Sequence, residues 1–406
     1  MITALRGFND ILPTESEKFF YFEKIAENTA AKFGFNRVGL PILEEKALFA
    51  RCVGESSDIV GKEMYEFVDK GENAVCMRPE GTAGAVRAFI ETKLDRAGGI
   101  HKWSYFGPMF RYERPQKGRL RQFNQFGVES FGEASVYEDA QIISLADAIF
   151  KELGIAASIK LNSLGCPKCA PAYRQKLVDF AINLELCEDC VKRLKLNPLR
   201  ILDCKNISCK NLLKDAPKIT DSLCEECESD FLTLKSTLNS SNIKYEVDKN
   251  LVRGLDYYTK TAFEFTADTG GSQNAIAGGG RYDGLIAQLG GKPTPAIGFA
   301  IGVERILDLI VMPTKERFGF YIGAMDDSAM QISFNLSIKL RQKDFVQFLS
   351  VPKSLKNHLK NADKINAKYC LVIGENELKS NSVWVKDLVN GSEQTLSLDL
   401  IDTLFV

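Results

Sequence analysis

Arginines set beside tyrosines and glycines, and cysteines in close pairs, are the residues of this 406-residue chain that could do chemistry. The run Leu251-Val252-Arg253-Gly254-Leu255-Asp256-Tyr257-Tyr258-Thr259 puts one arginine, one aspartate and two adjacent tyrosines around a glycine in an otherwise apolar stretch. A cation buried beside phenols is costly unless a ligand or partner compensates it. Taken alone, the run reads equally well as a strand with an internal Arg–Asp pair, because structural ion pairs are common. A second block follows at Ala277-Gly278-Gly279-Gly280-Arg281-Tyr282-Asp283-Gly284. Phe110-Arg111-Tyr112-Glu113, then Gln116-Lys117-Gly118-Arg119-Leu120-Arg121-Gln122-Phe123, reads as strand, basic loop, strand. Guanidinium forks match phosphate oxygens bidentately, so Arg111 and Arg119 suit a polyphosphate. Arg114, Gln116, Lys117 and Gly118 between them could reach a nucleic-acid end, although an isolated basic hairpin is more often a solvated surface feature. By themselves, Arg78-Pro79-Glu80-Gly81-Thr82 is a Pro-Gly turn before a helix and Glu129 an exposed strand residue.

Eight of the eleven cysteines fall between Cys166 and Cys227. They are Cys166-x-x-Cys169, Cys187-x-x-Cys190, the looser Cys204-x₄-Cys209, and Cys224-x-x-Cys227. Such pairs suit tetrahedral structural zinc. Eight thiolates allow two Cys₄ sites or one site with spare thiols, and thiols without metal are the plainer alternative. Lys192, Arg193, Lys195 and Arg200 lie among them as phosphate contacts or as a solvated helix face.

The bulk numbers narrow the classes. A 45% hydrophobic and 26% charged chain is an ordinary globular protein of two or three domains. A net charge of -1 argues against non-specific coating of nucleic acid, while leaving room for a local basic face. Met1 to Arg6 opens no signal-length apolar core, and no apolar run approaches ~20 residues, so neither secretion nor a membrane span is expected. The expected location is cytoplasmic, with reduced thiols or metal ligands rather than disulfides. With His101 and His358 the only histidines, chemistry built on several histidines is improbable.

Elements must position these residues. Thr14-Glu15-Ser16-Glu17 reads as a capping box, with Phe22, Ile25, Ala26 and Thr29 at helical spacing and Gly34 as the stop. Phe35 to Leu40 reads as a strand ended by Pro41, and a second capping box, Ser135-Val136-Tyr137-Glu138, opens a helix to about Leu153 with Gly154 as its stop. Between the two helices, Trp103-Ser104-Tyr105-Phe106 and Gln125-Phe126-Gly127-Val128-Glu129 alternate as in a mostly antiparallel sheet. Composition changes from about Cys166 to Tyr245, an insertion, and sheet-type sequence resumes at Leu251. Beyond Pro313-Thr314-Lys315, strands at Phe318–Ile322, Tyr369–Ile373 and Ser382–Val385 alternate with helices near Ser328–Arg341 and Pro352–Asn361, a separate small α/β domain.

These motifs carry a resemblance. Leu251 to Thr259 and Ala277 to Gly284 resemble the histidine-specific signatures of histidyl-tRNA synthetases. Phe-Arg-x-Glu at Phe110 to Glu113, with its loop, resembles the second signature of class II aminoacyl-tRNA synthetases. Gly298-Phe299-Ala300-Ile301-Gly302-Val303-Glu304-Arg305, with Arg305 entering a helix, is similar to the third. Phe35 to Pro41 looks like the first, which builds the dimer interface in that class. The chain is identified as a member of the histidyl-tRNA synthetase family, with the match weakest in the insertion and the C-terminal domain.

The resemblance implies an α+β catalytic domain with an antiparallel sheet over residues 1–165 and 246–314. It implies an inserted, mostly helical domain at 166–245 on the acceptor-stem side, and a C-terminal α/β anticodon-binding domain at 315–406. The implied activity is that of a histidine–tRNA ligase. Histidine's carboxylate attacks the α-phosphate of ATP to give histidyl-adenylate and pyrophosphate, and the terminal adenosine of tRNA(His) then takes the histidyl group. Because negative charge grows on the phosphate, fixed cations are the expected catalysts. By resemblance Arg111 holds the α-phosphate, Arg119 and Arg305 the outer phosphates, and Glu113 belongs to the same ATP site. Arg253 is the family's added catalytic cation, standing where other class II enzymes place a metal ion, and Mg²⁺ is expected on the outer phosphates.

Glu80 and Thr82 meet the α-ammonium of histidine in the family's terms. Gln125 and Glu129 lie near the bound amino acid, and Tyr257, Tyr258 and Tyr282 close its pocket. A pocket committed to both ring nitrogens rejects analogues by leaving its own polar groups unpaired. Gln116 is the candidate contact to the tRNA's extra 5′ guanosine. The implied partners are tRNA(His), L-histidine, ATP and a second copy of the chain, with no membrane. Two alternatives compete: the non-enzymatic, synthetase-like regulatory subunit of the first enzyme of histidine biosynthesis, which lacks the C-terminal domain, and a class II synthetase for another amino acid. The Arg253 and Arg281 blocks and the C-terminal domain argue against the first, and the Leu251 to Thr259 segment argues against the second.

Overall fold

A computed structural model describes residues 2–53, 59–116, 118–269 and 274–401; Lys117 of the basic loop and the last five residues lie outside the described residues. The chain forms two compact units that divide between Met312 and Pro313.

The first unit contains strands β1 (Asn36–Arg37), β2 (Leu43–Glu45), β3 (Tyr65–Val68), β4 (Ala74–Met77), β5 (His101–Phe110), β6 (Gln122–Phe131), β7 (Ser158–Ser163), β8 (Glu246–Val247), β9 (Thr259–Thr266), β10 (Ala275–Arg281) and β11 (Ala296–Gly302). Eight of them make one sheet in the order β1-β5-β6-β11-β10-β9-β7-β8. Its central neighbours are all antiparallel, and only the short edge strands β1 and β8 pair in parallel. Strands β2, β4 and β3 form a small separate sheet.

Side chains alternate across a strand, so each central strand has one face for the core and one for the site. Phe126 and Val128 of β6, Phe263 and Phe265 of β9, and Ile297, Phe299 and Ile301 of β11 all enter one apolar cluster. The helices Pro13–Lys32 and Val136–Glu152 cover it with Phe22, Ala26, Ile142 and Ile149. The helix Glu225–Ser240, at the end of the insertion, joins the same cluster through Phe231, Leu234 and Leu238. The rest of the insertion has its own small core, in which Tyr173, Leu177, Leu199 and Ile201 pack with Cys190, Cys204 and Cys209.

Some local expectations need correction. The first helix starts at Pro13, and its N-cap Leu12 makes no side-chain cap, so Thr14 to Glu17 is inside the first turn and is not a capping box. Proline is pre-shaped for that first position, where an amide would go unpaired in any case. Ser135 does cap its helix by accepting from the Tyr137 amide at 3.3 Å, but Glu138 turns away to Lys102 instead of closing the box. Only Asn36 and Arg37 of the expected Phe35 to Leu40 strand pair with β5.

The second unit holds β12 (Phe318–Ala324), β13 (Val346–Phe348), β14 (Ala367–Ile373), β15 (Ser382–Asp387) and β16 (Glu393–Ser397), in the order β13-β12-β14-β15-β16. β12 runs parallel to both its neighbours, with the helices Met330–Leu340 and Leu355–Lys364 as crossovers. His358 is buried there between Tyr321 and the Ala324 carbonyl, a structural position. Among the described residues no helix is long and apolar enough to cross a membrane.

Candidate active site

The site face of the sheet is nearly bare of side chains. Gly127 on β6, Gly278 and Gly280 on β10, and Gly298 and Gly302 on β11 all lie on it. Added Cβ atoms would overlap the Tyr105 hydroxyl at Gly127, the Arg253 guanidinium at Gly278 and the Glu129 carboxylate at Gly298. The polar side chains therefore lie directly on main chain.

Glu129 stands at the centre of this face and is 1 % exposed. Its Oε1 accepts from Thr82 Oγ1 at 2.7 Å and from the Tyr105 hydroxyl at 3.0 Å, and the Tyr282 hydroxyl donates to Oε2. Burial pushes its carboxyl up to about 8, against the pull of those hydrogen bonds. Glu80 is buried nearby and caps the helix Thr82–Glu91: the Thr82 amide donates to Oε2 at 2.7 Å and the Ala83 amide to Oε1 at 2.8 Å. Burial raises its carboxyl also. The rings of Tyr257 and Tyr258 lie 4.7 Å apart and those of Tyr257 and Tyr282 5.6 Å apart, forming an aromatic wall beside the two acids.

Arg253 lies over Gly278, with Nη1 3.1 Å from Glu264 Oε2 and its guanidinium 5.8 Å from the centre of the Tyr258 ring. Arg111 donates through Nε to the Pro79 carbonyl at 2.9 Å and lies 5.2 Å over the Phe123 ring. Arg119 pairs with Glu113 at 2.8 Å. Arg305, on a single 3₁₀ turn rather than a longer helix, donates to the Ala275 carbonyl at 2.8 Å and reaches back to the Gly118 carbonyl at 3.3 Å. Burial holds its guanidinium below the ordinary value, and the Arg119 and Arg111 charges add to the effect. Among the described residues, Arg253 Nε, Arg119 Nε and Gln125 Oε1 are buried without hydrogen-bond partners. An orphaned buried group costs about 1–3 kcal/mol, so three of them bordering one cleft point to a polar ligand.

The structure thus brings Glu80, Thr82, Glu129 and the three tyrosines together, and places Arg253, Arg111, Glu113, Arg119 and Arg305 around the same sheet face. Gln116 is exposed at the hairpin tip, where its backbone pairs with that of Arg119. Arg281 is not part of the site. It is 1 % exposed on the opposite face, 2.6 Å from Asp139, and donates to the Glu133 and Ser135 carbonyls at 3.0 and 2.8 Å. It fastens β10 to the start of the helix Val136–Glu152. Arg200 is buried, so it offers no surface phosphate contact, whereas Lys192 and Lys195 are exposed.

Sequence reasoning missed three residues. Tyr105 was visible only as a strand aromatic, yet two-residue alternation sets it on the face of Gly107 and Met109. Glu264 had no motif to mark it. Lys205 follows Cys204 and keeps contact with solvent, but partial burial and then the Arg119 charge draw its ammonium below the usual range, with Arg305 acting in the same direction.

The cysteines fall into two quartets, Cys166/Cys169/Cys224/Cys227 and Cys187/Cys190/Cys204/Cys209, each with its four Sγ atoms within 4.8 Å of one another. Sγ separations are 3.8 Å for Cys166–Cys169, 3.7 Å for Cys166–Cys224, 3.9 Å for Cys169–Cys227 and 3.8 Å for Cys187–Cys204. A tetrahedron of sulfurs about 2.3 Å from zinc has edges of about 3.8 Å, so the thiols fit that ion. The amides of Cys166 and Cys187 point at Cys169 Sγ and Cys209 Sγ, each at 3.2 Å, which stabilises thiolate charge.

Comparison with known proteins agrees with this geometry. The family model for histidyl-tRNA synthetase matches residues 7–173 and 198–306, leaving 174–197 outside the match, and an anticodon binding domain model matches 308–404. The chain is 59% identical over 402 residues to the histidine–tRNA ligase of Sulfurimonas denitrificans, covering 98% of this chain and 100% of that one. It is 52% identical to the histidine–tRNA ligase of Campylobacter concisus, covering 99% of each. The apo histidyl-tRNA synthetase of S. aureus superposes with a TM-score of 0.83 at 35% identity, covering 100% of both chains. A Bacillus halodurans structure titled as an ATP phosphoribosyltransferase regulatory subunit/histidyl-tRNA synthetase shares the fold, with a TM-score of 0.65 at 19% identity over 92% of this chain and 98% of that one. With the family model matched over most of its length and relatives matched end to end, the chain belongs to the histidyl-tRNA synthetase family and is a histidine–tRNA ligase.

Proposed function

We propose that this one sheet face carries both steps of the ligase reaction, with the roles divided between its acidic and its basic end. Histidine lies over Gly127 and Gly298, with Glu80 and Thr82 at its ammonium, Gln125 and Glu129 at its polar atoms, and Tyr257, Tyr258 and Tyr282 around the imidazole. ATP lies over Gly278 and Gly302. Arg111 meets its α-phosphate, Arg119 and Arg305 meet the outer phosphates, and Glu113 holds Arg119 in place. Mg²⁺ enters as the counter-ion of the nucleotide.

A histidine carboxylate oxygen then attacks the α-phosphorus in line, and the bond to the bridging oxygen breaks. Pyrophosphate leaves with that electron pair. Arg253 and Arg111 meet the charge that gathers on the non-bridging oxygens and need no reorganisation to do so. In the second step a ribose hydroxyl of the tRNA terminus attacks the histidyl carbonyl and AMP leaves. Gln116, exposed at the hairpin tip, contacts the 5′ end of the tRNA.

The observation that supports this reading best is the Nε of Arg253, buried over Gly278 without a partner among the described residues, on the sheet face that also carries Glu129. Three parts of the reading extend beyond the site: the chain works as a homodimer in the cytoplasm, residues 166–245 face the acceptor stem while the domain from about residue 315 binds the anticodon, and the two cysteine quartets hold structural zinc. Histidine-dependent ATP–pyrophosphate exchange, followed by charging of tRNA(His), tests the reaction. A chain that binds histidine and catalyses neither would be a regulatory protein instead.

A further inference from the structure

The two cysteine quartets occupy different places in the fold. Cys166 and Cys169 follow β7, and Cys224 and Cys227 open the helix Glu225–Ser240, which packs on the main core. That quartet closes the base of the insertion, where the chain leaves the sheet and returns. The second quartet lies inside the insertion. It draws together the helices Glu188–Leu196 and Ile207–Leu212 on either side of the 3₁₀ turn Pro198–Asp203.

The second quartet also touches the catalytic segment. Asn197 stands at the N-terminal end of that 3₁₀ turn, between Cys190 and Cys204, and its side chain turns outward: Nδ2 donates to Asp256 Oδ1 at 2.7 Å. Val252 packs against the core formed with Cys190, Cys204 and Cys209, and Tyr258 packs there too. Val252 and Asp256, which rest on the insertion, stand next to Arg253 and Tyr257, which face the site, and Tyr258 packs against both the insertion core and the pocket cluster. The support is small: short helices and turns around a few apolar side chains and three thiols. A core of that size needs a staple to hold a fixed shape. Metal binding to such ligands is folding free energy for the segment that carries them.

We propose that the Cys187/Cys190/Cys204/Cys209 zinc site is a positioning device for the catalytic segment: it fixes Asn197 against Asp256 and Val252 against the insertion core, and so sets Arg253 over Gly278. The inference rests on the zinc reading given above. It goes beyond that reading by assigning the two sites separate roles, the first a clamp at the insertion base and the second a control on the activation step. The stretch 174–197, which contains Cys187, Cys190 and Asn197, is the internal gap in the family match, whereas Cys204 and Cys209 lie within the matched residues.

The test uses the full chain purified without chelator. Metal analysis should find two zinc ions per chain, one for each quartet, and C187S/C204S and C166S/C224S should each lose one of them. Amide hydrogen exchange over residues 251–259 should speed up in C187S/C204S and stay as in the parent in C166S/C224S. N197A, which removes no ligand, should keep both zinc ions, show the same faster exchange and lose about 10-fold in the histidine-dependent pyrophosphate-exchange rate, because small displacements of reacting groups cost that much or more. Zinc below one per chain overturns the metal reading. Zinc at two per chain with unchanged hydrogen exchange and unchanged rate in N197A overturns the positioning role and leaves the metal reading standing. A parent chain without pyrophosphate exchange would overturn the ligase reading, and hydrogen exchange would still decide the coupling. If the serine variants do not fold, N197A alone decides it.

Discussion

Glu129 and Glu80 are two acids held in one dry pocket, and both are raised by burial, Glu129 to about 8. At pH 7 the free protein therefore keeps a proton on Glu129. Histidine brings a cationic ammonium to Glu80 and polar atoms to Glu129, and a cation entering the pocket favours the ionised form of both acids, so binding should expel a proton and tighten as the pH rises toward about 8. Calorimetry in buffers of different ionisation heat measures that release directly; a heat independent of buffer would contradict it. The same shift governs stability. An acid raised in the folded state binds more protons folded than unfolded, so its contribution falls as pH climbs from the ordinary carboxylate range to about 8. E129Q should flatten that slope in melting curves. E129A should raise the KM for histidine far more than that for ATP, and equal small effects on both would remove Glu129 from the pocket. R253H should slow adenylate formation by roughly 10²-fold or more, the scale of losing a preorganised transition-state donor. Unchanged pyrophosphate exchange in that variant would contradict a catalytic Arg253.

Two glycines on neighbouring strands separate floor from fold. The nearest atoms that a Cβ at Gly278 meets are those of the Arg253 guanidinium, the far end of a flexible side chain. G278A should therefore melt near the parent temperature while losing pyrophosphate exchange as R253H does. A Cβ at Gly298 meets the Glu129 carboxylate and also the Val128 carbonyl of the adjacent strand. G298A should lose histidine binding and about 1–3 kcal/mol of stability, the usual range for overpacking, as denaturant titration would show. The sheet itself was legible, because Phe126/Val128 against Gly127/Glu129 is a two-residue alternation that only a one-sided strand requires. The same alternation puts Arg281 on the face opposite Tyr282, and the tyrosine–arginine motif masked that reading. Helix caps were legible at Ser135 and not at Thr14, where the proline one residue earlier already starts the helix. The pairing of the cysteines was not legible. Cys166 meets Cys224 58 positions away, and spacing along the chain carries no record of which distant pair a pair will meet.

At the scale of the molecule, the catalytic unit and the C-terminal unit each bury a separate apolar core, around Phe126 and Phe299 in one and Ile322 and Leu371 in the other. A chain ending at Met312 should thus fold and keep histidine-dependent pyrophosphate exchange. Its kcat/KM for charging tRNA(His) should drop on the order of 10²-fold or more, the worth of losing a second linked binding module. Loss of pyrophosphate exchange on truncation would show that activation also needs the second unit. The glycine floor has a consequence for inhibitor design. A compound that lies flat on Gly127, Gly278 and Gly298 binds to peptide atoms that any added side chain would cover. Resistance by point mutation would have to come from those glycines, the tyrosine wall or the arginines, and changing any of them weakens the natural substrates along with the drug.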